Sequence, residues 1–438
     1  MSATSSAPLE PARQRHSIRL IAAASLGNAL ELFDFTVFSF FAGIIGTLFF
    51  PSSTPYGSLL MAVGVFGVGF VMRPLGSMVL GAYADIKGRR SAMLVTILLM
   101  GLGTALIALT PTHAQIGIAA PLLLLVGRLL QGFSAGGEIG AATALLMESA
   151  SPGKRGRYLS WQVATQGISS LIGSACGVLV TSTLSHDALY AWGWRLPFLL
   201  GLLIIPVGLY IRRSVEETFD TRHDAQDAAR AAAETGRHNP VYGFLRHHLG
   251  QFVLGLGIIL SATVLTYVVV FFMPTYMMQV TSLSPTLTYS MSVLVSIVLT
   301  VSGIVSGVFI DRFPRYKPIA IISLMVALVL AYPTFSLIAT PAWLWLALLL
   351  RLIMVAALGF NMTAGLMLIT VALPRPIRAT GMGLTYAGGV ALFGGSAQFI
   401  VTSLIASTGS FMAPAWYLIG ALVISLGAFL TFKERHYD

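Results

Sequence analysis

Residues 128–157 read RLLQGFSAGGEIGAATALLMESASPGKRGR. A long apolar run carries a guanidinium, Arg128, and a carboxylate, Glu138, and closes in a polar, basic turn from Ser151 to Arg157. Charge inside a stretch apolar enough to enter lipid is expensive, so it marks function by default. The glycines fall at Gly132, Gly136 and Gly140, a spacing that lets neighbouring helices approach closely. The skeleton returns as RLIMVAALGFNMTAGLMLITVALPRPIRATG, residues 351–381, with Arg351 matching Arg128, Asn361 matching Glu138 and Arg378 matching Arg155. An internal repeat of apolar segments is the usual trace of a transporter built from two related halves.

Composition points the same way. The chain has 438 residues, 56% hydrophobic and 10% charged, with a mean hydropathy of +0.83. Soluble proteins carry about 25% charged residues. An all-α membrane protein is therefore expected. The net charge of +10 sits in short loops between apolar segments, which the positive-inside rule explains better than nucleic-acid binding does. The single cysteine, Cys176, allows no internal disulfide, and the histidines show no metal spacing. No Walker sequence, dinucleotide fingerprint or nucleophile elbow is present. That argues against an ATP-driven pump and an enzyme, and no cofactor is expected. The first apolar run is too long, and too acidic, for a cleavable signal peptide.

About 20 apolar residues cross the hydrocarbon. By that measure the chain holds twelve spans, near 18–48, 57–84, 91–110, 118–148, 158–183, 196–212, 249–279, 286–310, 318–339, 342–372, 378–405 and 412–432. The expected architecture is two pseudo-symmetric six-helix bundles, 18–212 and 249–432, joined by a charged linker, 213–248, with tails 1–17 and 433–438. Lys and Arg collect at the N-terminus, after the second, fourth, eighth and tenth spans, in the linker and in the tail; Arg195 alone breaks the pattern. Both termini are thus expected in the cytoplasm.

Two loops match each other. Residues 81–90 read GAYADIKGRR and residues 307–317 read GVFIDRFPRYK. In each, a glycine (Gly81, Gly307) precedes an aspartate (Asp85, Asp311) by four residues, and a basic cluster follows, with Arg89 and Arg90 in the first. Such aspartates can pair with basic groups or cap the next helix, forming a latch at the cytoplasmic face. Glu148 is expected to join it by pairing with Arg89, Arg90 or Arg155.

These motifs carry a resemblance. GAYADIKGRR is similar to the loop signature of the major facilitator superfamily. LELFDF, MRPLG, GRLLQGFSAGGE, MESASPGKRGR and WGWRLPF resemble its metabolite–proton symporter family, whose members move citrate, tricarballylate, oxoglutarate, shikimate, proline and betaine. FDFTVFSFFAG, LLQGFSAGGE and two glutamines on the fifth span look most like the citrate and tricarballylate branch. The resemblance implies proton-driven uptake of a small carboxylate across a bacterial inner membrane, by a monomer touching lipid and solute only. It leaves sodium open as the driving cation. Pro314 and Arg315 replace the usual Gly-Arg, which should weaken the second half of the latch.

Read residue by residue, the spans hold Glu31, Asp34, Arg73, Arg128, Glu138 and Arg351. Groups of this kind should face the bundle interior and pair; each could also be a structural ion pair. Glu31 and Asp34 are three apart and share a helix face. At Asp34, burial and a neighbouring arginine pull protonation in opposite senses. Arg128 is its expected partner, as it is in the related sugar porters the chain resembles, and Asp34, Glu31, Arg128 and Glu138 are the proton-coupling candidates. Arginine meets a carboxylate with a planar fork. Arg128 and Arg351 are therefore expected on either side of a substrate cavity. Arg73 is either a third anion contact or the partner of Glu138. Asn28, Gln162, Gln166, Tyr267 and Asn361 complete the substrate candidates, while Tyr276 and Gln398 read as interhelical hydrogen bonds. Two alternatives stay open: a zwitterionic-osmolyte symporter, which would favour aromatic groups around an ammonium, and a receptor of transporter fold.

Overall fold

The structure, a computed structural model, describes residues 28–29, 31–54, 56–87, 89–136, 146, 150, 153–202, 205–206, 240–281, 283–313, 315–374 and 378–434. Glu138, Glu148, most of the 213–248 linker and both tails except 433–434 lie outside them. So do the side chains of Gly81, Asp85, Arg89 and Arg90, whose backbones are helical. The fold is all-α. Among the described residues eight helices are long and apolar enough to cross a membrane, and a bent pair makes a ninth.

That pair is α1 (Glu31–Phe40) and α2 (Ala42–Phe49), which meet at 68° where a single helix was expected. Phe41 at the joint leaves helical geometry. Next come α3 (Gly57–Lys87), α4 (Arg89–Leu109), α5 (Ala119–Ala135) and α6 (Arg155–Thr183). After the linker, α7 (Pro240–Val264) is kinked at His248, close to where the sequence places the start of the span. A π turn, Leu265–Phe272, joins it to α8 (Met273–Val280). Then follow α9 (Pro285–Ile310), α10 (Lys317–Ile338), α11 (Leu344–Val371) and α12 (Arg378–Gly389). A second π turn, Val390–Gly394, leads to α13 (Gly395–Thr408), and α14 (Ala413–Thr431) closes the chain.

The first π turn has a local cause. Pro274 lies in the first turn of α8 and has no N–H to donate back into the preceding turn. The wider i→i+5 spacing of the π turn leaves the Val269 carbonyl without its helical donor, since that donor would be Pro274. A side chain from another helix supplies it, as described below.

Packing falls into two sets, with α5 against α3 and α4, and α11 against α9 and α10 while α14 packs on α7 and α10. The expected glycine spacing does what it promised: a Cβ at Gly132 would collide with the Gly69 carbonyl, and one at Gly136 with the Arg73 carbonyl, so α5 lies directly on α3. Two seams join the sets, α6 along α9 and α3 along α13. In the first, a Cβ at Gly167 would stand 2.6 Å from the Thr300 nitrogen. Ser296 donates to Ser170 at 2.7 Å, and Thr286 to Thr181 at 3.1 Å near one end. Apolar side chains such as Val71, Leu98, Ile322, Val329 and Ile424 face outward while serines, threonines and arginines are buried. That inversion is what a lipid solvent selects.

Candidate functional site

A narrow cavity lies between the two sets. It is lined by Arg73 of α3, Gln166 of α6, Tyr267 of the first π turn, Asn361 of α11 and Tyr386 of α12, with apolar groups including Leu32, Ile258 and Met362. Its volume is about 20 Å³, room for about one water. A solute of several carbon atoms needs the seams to part.

Arg73 is the cation of this cavity. It is buried, and its Nη2 stands 3.3 Å from Glu31 Oε1. The Phe35 and Phe70 rings lie 4.7 and 4.4 Å from its guanidinium carbon, and, with their own centres 5.1 Å apart, they make two cation–π contacts from one side. Nε and Nη2 have no hydrogen-bond partner among the described residues. Among the described residues the ion-pair partner of Arg73 is Glu31 on α1; the expected alternative, Glu138, lies outside them. Tyr267 packs against Phe66 and Phe70 across the seam. Gln166 Nε2 donates to the Tyr386 hydroxyl at 3.4 Å. Asn361 accepts from Ser261 at 3.0 Å and donates to the Ala320 carbonyl at 3.2 Å, so it ties α11 to α7 and α10 as well as lining the cavity.

Asp34 belongs to a second cluster, deeper among α1, α4 and α5. Thr104 donates to Asp34 Oδ2. Gln131 Nε2 lies 2.9 Å from Thr104 Oγ1 and 3.3 Å from Asp34 Oδ2, while Gln131 Oε1 accepts from Arg128 Nη1 at 2.8 Å. Asp34 and Arg128 do not touch; the Gln131 amide spans them. The reason is aromatic: the Arg128 guanidinium sits over Phe38, 3.7 Å from the ring centre, with Phe35 and Phe66 beyond. Arg351 is equally buried but has a different setting. Nε donates at 3.0 Å to Val269, the carbonyl orphaned by the π turn, and Nη1 approaches Met277 sulfur at 4.0 Å. No carboxylate lies within 4 Å of it among the described residues.

So of the expected substrate residues, Arg73, Gln166, Tyr267 and Asn361 line the cavity. Arg128 and Arg351 are held within their own sets and do not line it. Asn28 donates to Thr165 at 2.7 Å, and Gln162 is buried on α6 outside the lining. Gln398 does make an interhelical bond, to Ser39, while Tyr276 donates to the Phe411 carbonyl in the turn before α14. Sequence reasoning missed Gln131, Thr104 and Tyr386. Gln131 had a signal: it lies three residues after Arg128, on the same helix face.

At the second loop the aspartate pairs with a basic group, as the sequence suggests, but caps α6 and not the next helix. Asp311 reaches back from the end of α9 and accepts from the Gly156 and Arg157 amides, at 2.6 and 3.1 Å, with the Arg157 guanidinium at 3.5 Å. It caps α6 from the opposite set, where unsatisfied amides favour an anion. Arg315 makes none of these bonds, and Pro314 lies outside the described residues. Arg155, half-buried in the first turn of α6, does not bond Asp311. Among the described residues no group of three or more His, Cys, Asp or Glu could hold a metal.

Comparison with known proteins places this geometry. The sequence profile of the Major Facilitator Superfamily matches residues 24–397. A citrate-proton symporter of Klebsiella pneumoniae is 36% identical over 435 residues, which covers 97% of this chain and 94% of its own. A glycine betaine/proline/ectoine/pipecolic acid transporter of Dickeya dadantii is 32% identical over 423 residues, covering 95% and 83%. A crystal structure of a D-xylose-proton symporter superposes with a TM-score of 0.73 at 17% identity, over 95% of this chain and 98% of that one; at that identity the likeness speaks for the fold alone. With a profile spanning most of its length and relatives above 30% identity across nearly all of it, the chain belongs to the major facilitator superfamily, a family of membrane transporters and not of enzymes.

Proposed function

We propose that this protein is a proton-coupled symporter that carries a small carboxylate, citrate or a similar tricarboxylate, across a bacterial inner membrane. Twelve spans in two six-helix halves, 18–212 and 249–432, rock about the cavity with both termini in the cytoplasm. The observation that carries the reading is Arg73: a buried guanidinium, ion-paired with Glu31, that lines a cavity built from both sets of helices. Gln166, Tyr267, Tyr386 and Asn361 supply hydrogen bonds around it. Asp34, Gln131 and Arg128 form the coupling relay. A proton on Asp34 loosens its tie to Gln131 and Arg128 and biases the orientation of α1 against α5. Asp311 with α6, joined by Gly81, Asp85, Arg89, Arg90, Glu148 and Arg155, forms the cytoplasmic gate.

Charge demands the coupling. Each charge crossing the membrane feels about 2.3 kcal/mol per 100 mV. An anion of several charges is driven inward only with a larger number of cations, and protons are the simplest choice. The citrate-proton symporter relative supports this reading. A second reading rests on one observation: the single cavity guanidinium is already paired with Glu31 and flanked by two tyrosines. A site of that balance suits a zwitterion, and the Dickeya relative handles such solutes.

The test is uptake into proteoliposomes of citrate, tricarballylate, oxoglutarate, shikimate, proline and betaine, with and without an imposed pH gradient. Citrate or tricarballylate accumulation that requires an acidic exterior is expected. Accumulation confined to proline and betaine would move the protein to the second reading. Uptake indifferent to the gradient would end the proton assignment.

A further inference from the structure

Gly201 of the sixth span, helical over 196–202, lies directly against Asp34. A Cβ at this glycine would stand 2.6 Å from Asp34 Oδ1, 3.4 Å from Thr104 Cγ2 and 3.6 Å from Asp34 Cγ. Those nearest atoms set it apart. Gly103, Gly127 and Gly132 on α4 and α5 each meet first the backbone carbonyl of a neighbouring helix, so their smallness serves helix packing. The atoms nearest a Cβ at Gly201 all belong to side chains, two of them to the acid. Asp34 Oδ2 takes Thr104 and Gln131. Oδ1 has no hydrogen-bond partner among the described residues. The carboxylate is thus held by donors on one oxygen and by a bare backbone wall on the other. The clasp shows the same device outside the spans: a Cβ at Gly156 would stand 2.8 Å from Asp311 Oδ1.

We propose that Gly201 is a positioning residue of the coupling relay: the missing side chain at 201 lets the Asp34 carboxylate seat against the sixth span, in reach of Thr104 and Gln131 and, through Gln131, of Arg128. The inference rests on the reading of Asp34 as the coupling acid. An oxygen 2.6 Å from a methyl carbon cannot stay there, because ordinary contact begins at 3.4 Å. A methyl at 201 would push Oδ1 back by most of an ångström. The aspartate side chain is short and its end is free to move, so the strain falls on the Thr104 and Gln131 bonds and not on the helix backbones. The acid would keep its place in the sequence and lose its alignment. Charged groups around Asp34, among the described residues, are Arg128 on α5, reached through Gln131, and Glu31 one turn back on its own helix, itself paired with Arg73 of α3. The sixth span over 196–202, and α4 beyond Arg89 and Arg90, bring no titratable group. What the sixth span gives the acid is therefore space and not charge.

Gly201→Ala tests this, with Gly101→Ala as its control. Gly101 of α4 faces the same span, but a Cβ there meets the tip of the Ile205 side chain, at 2.2 Å, and no part of Asp34. Both full-length variants are reconstituted, and gradient-driven accumulation is compared with counterflow exchange. The solute is labelled citrate, or labelled proline if the uptake panel returns the second reading. Misplacing an aligned group by about 1 Å costs on the order of 100-fold. Gly201→Ala should lose accumulation by about that factor and exchange by far less, and its uptake should have a displaced midpoint against external pH. Gly101→Ala should keep the wild-type accumulation and midpoint. Equal losses in the two variants, or exchange falling in step with accumulation, would assign Gly201 to packing and overturn the inference. Asp34→Asn separates the two levels. If it accumulates solute under a gradient as wild type does, the relay reading fails and takes this inference with it. If it does not, while Gly201→Ala does, only the role of Gly201 falls. Infrared difference spectra between acidic and neutral pH need no solute. The carboxyl band that disappears in Asp34→Asn should shift in Gly201→Ala and stay in place in Gly101→Ala. A band unmoved in both refutes the positioning role.

Discussion

Arg128 and Arg351 stand at matching places in the internal repeat, and both are fully buried, yet they live in different company. Arg128 is wired through Gln131 and Thr104 to an acid. Arg351 is tied to a backbone carbonyl and a sulfur. One copy of the arginine sits in a hydrogen-bonded circuit that ends on an acid; the other fills a structural gap opened by Pro274. Duplication supplied the same residue twice, and the surroundings linked one copy to an acid and the other to a backbone carbonyl. The lesson is that repeat equivalence predicts where a side chain is, while its partners decide what it does.

The strongest way to break this comparison is at its acid. Asp34→Asn should abolish accumulation driven by a pH gradient while leaving counterflow exchange of substrate. The amide keeps the shape but cannot carry the proton. Gradient-driven uptake at the wild-type rate in Asp34→Asn would remove the relay from the coupling mechanism.

Next come the two arginines themselves, compared as Arg128→Met and Arg351→Met. Removing Arg128 leaves Gln131 Oε1 and the Asp34 charge without their cation, and such breakage of a buried ionic network costs roughly 3 kcal/mol. Removing Arg351 orphans Val269, a loss of about 1–3 kcal/mol. It also eliminates a buried charge that has no carboxylate within 4 Å among the described residues, so the net change should be within about 1 kcal/mol. Thermal unfolding in one detergent should therefore rank Arg128→Met well below Arg351→Met. Equal losses would show that the two copies are not differently employed. Gln131→Leu gives a finer cut: both arginines and the acid remain, but the amide between them is gone. It should destabilise by about 1.5–3 kcal/mol, the range for hydrogen bonds to charged groups, and should slow proton-driven uptake more than exchange.

How much of this was legible beforehand follows the same division. The all-α, multi-span character and the burial of Arg73, Arg128 and Arg351 were readable, because charge within an apolar run has nowhere else to go. The contact of Gly132 and Gly136 with α3 was readable because spacing fixes a helix face. Partners were not. Glu31 and Asp34, three residues apart, point about 60° from one another around a helix of 3.6 residues per turn. That was enough to send Glu31 to Arg73 on α3 and Asp34 to α4 and α5. The π turns escaped because hydrophobic periodicity does not register one extra residue in a buried turn. The joint at Phe41 carries neither proline nor glycine to announce it. Tyr386 looked like any aromatic among glycines until α6 brought Gln166 to its hydroxyl.

If the second half of the repeat is passive in its interior, its response to pH should come from outside the span, at Asp311. Burial against α6 raises this carboxyl above the ordinary aspartate value of 3.8, and the Gly156 and Arg157 amides and the Arg157 charge offset that only in part. When α9 leaves α6, Asp311 returns to water and to its ordinary range. The clasped arrangement therefore holds the proton at a higher pH than the parted one. Linkage then gives the sign: acidification populates the clasp, and that preference is lost as pH rises from the ordinary aspartate value through the raised one. Spin labels at Lys154 and Arg315, in a Cys176→Ser background, should show a growing short-distance population as pH falls. This is the smallest of the expected effects, since the hydrogen bonds that hold the clasp oppose it. In Asp311→Asn, which retains an acceptor for Gly156 but cannot titrate, the distribution should lose its pH dependence. If it shifts as before, the pH sensor lies on another residue, and the interior of the second half is not as silent as Arg351 suggests.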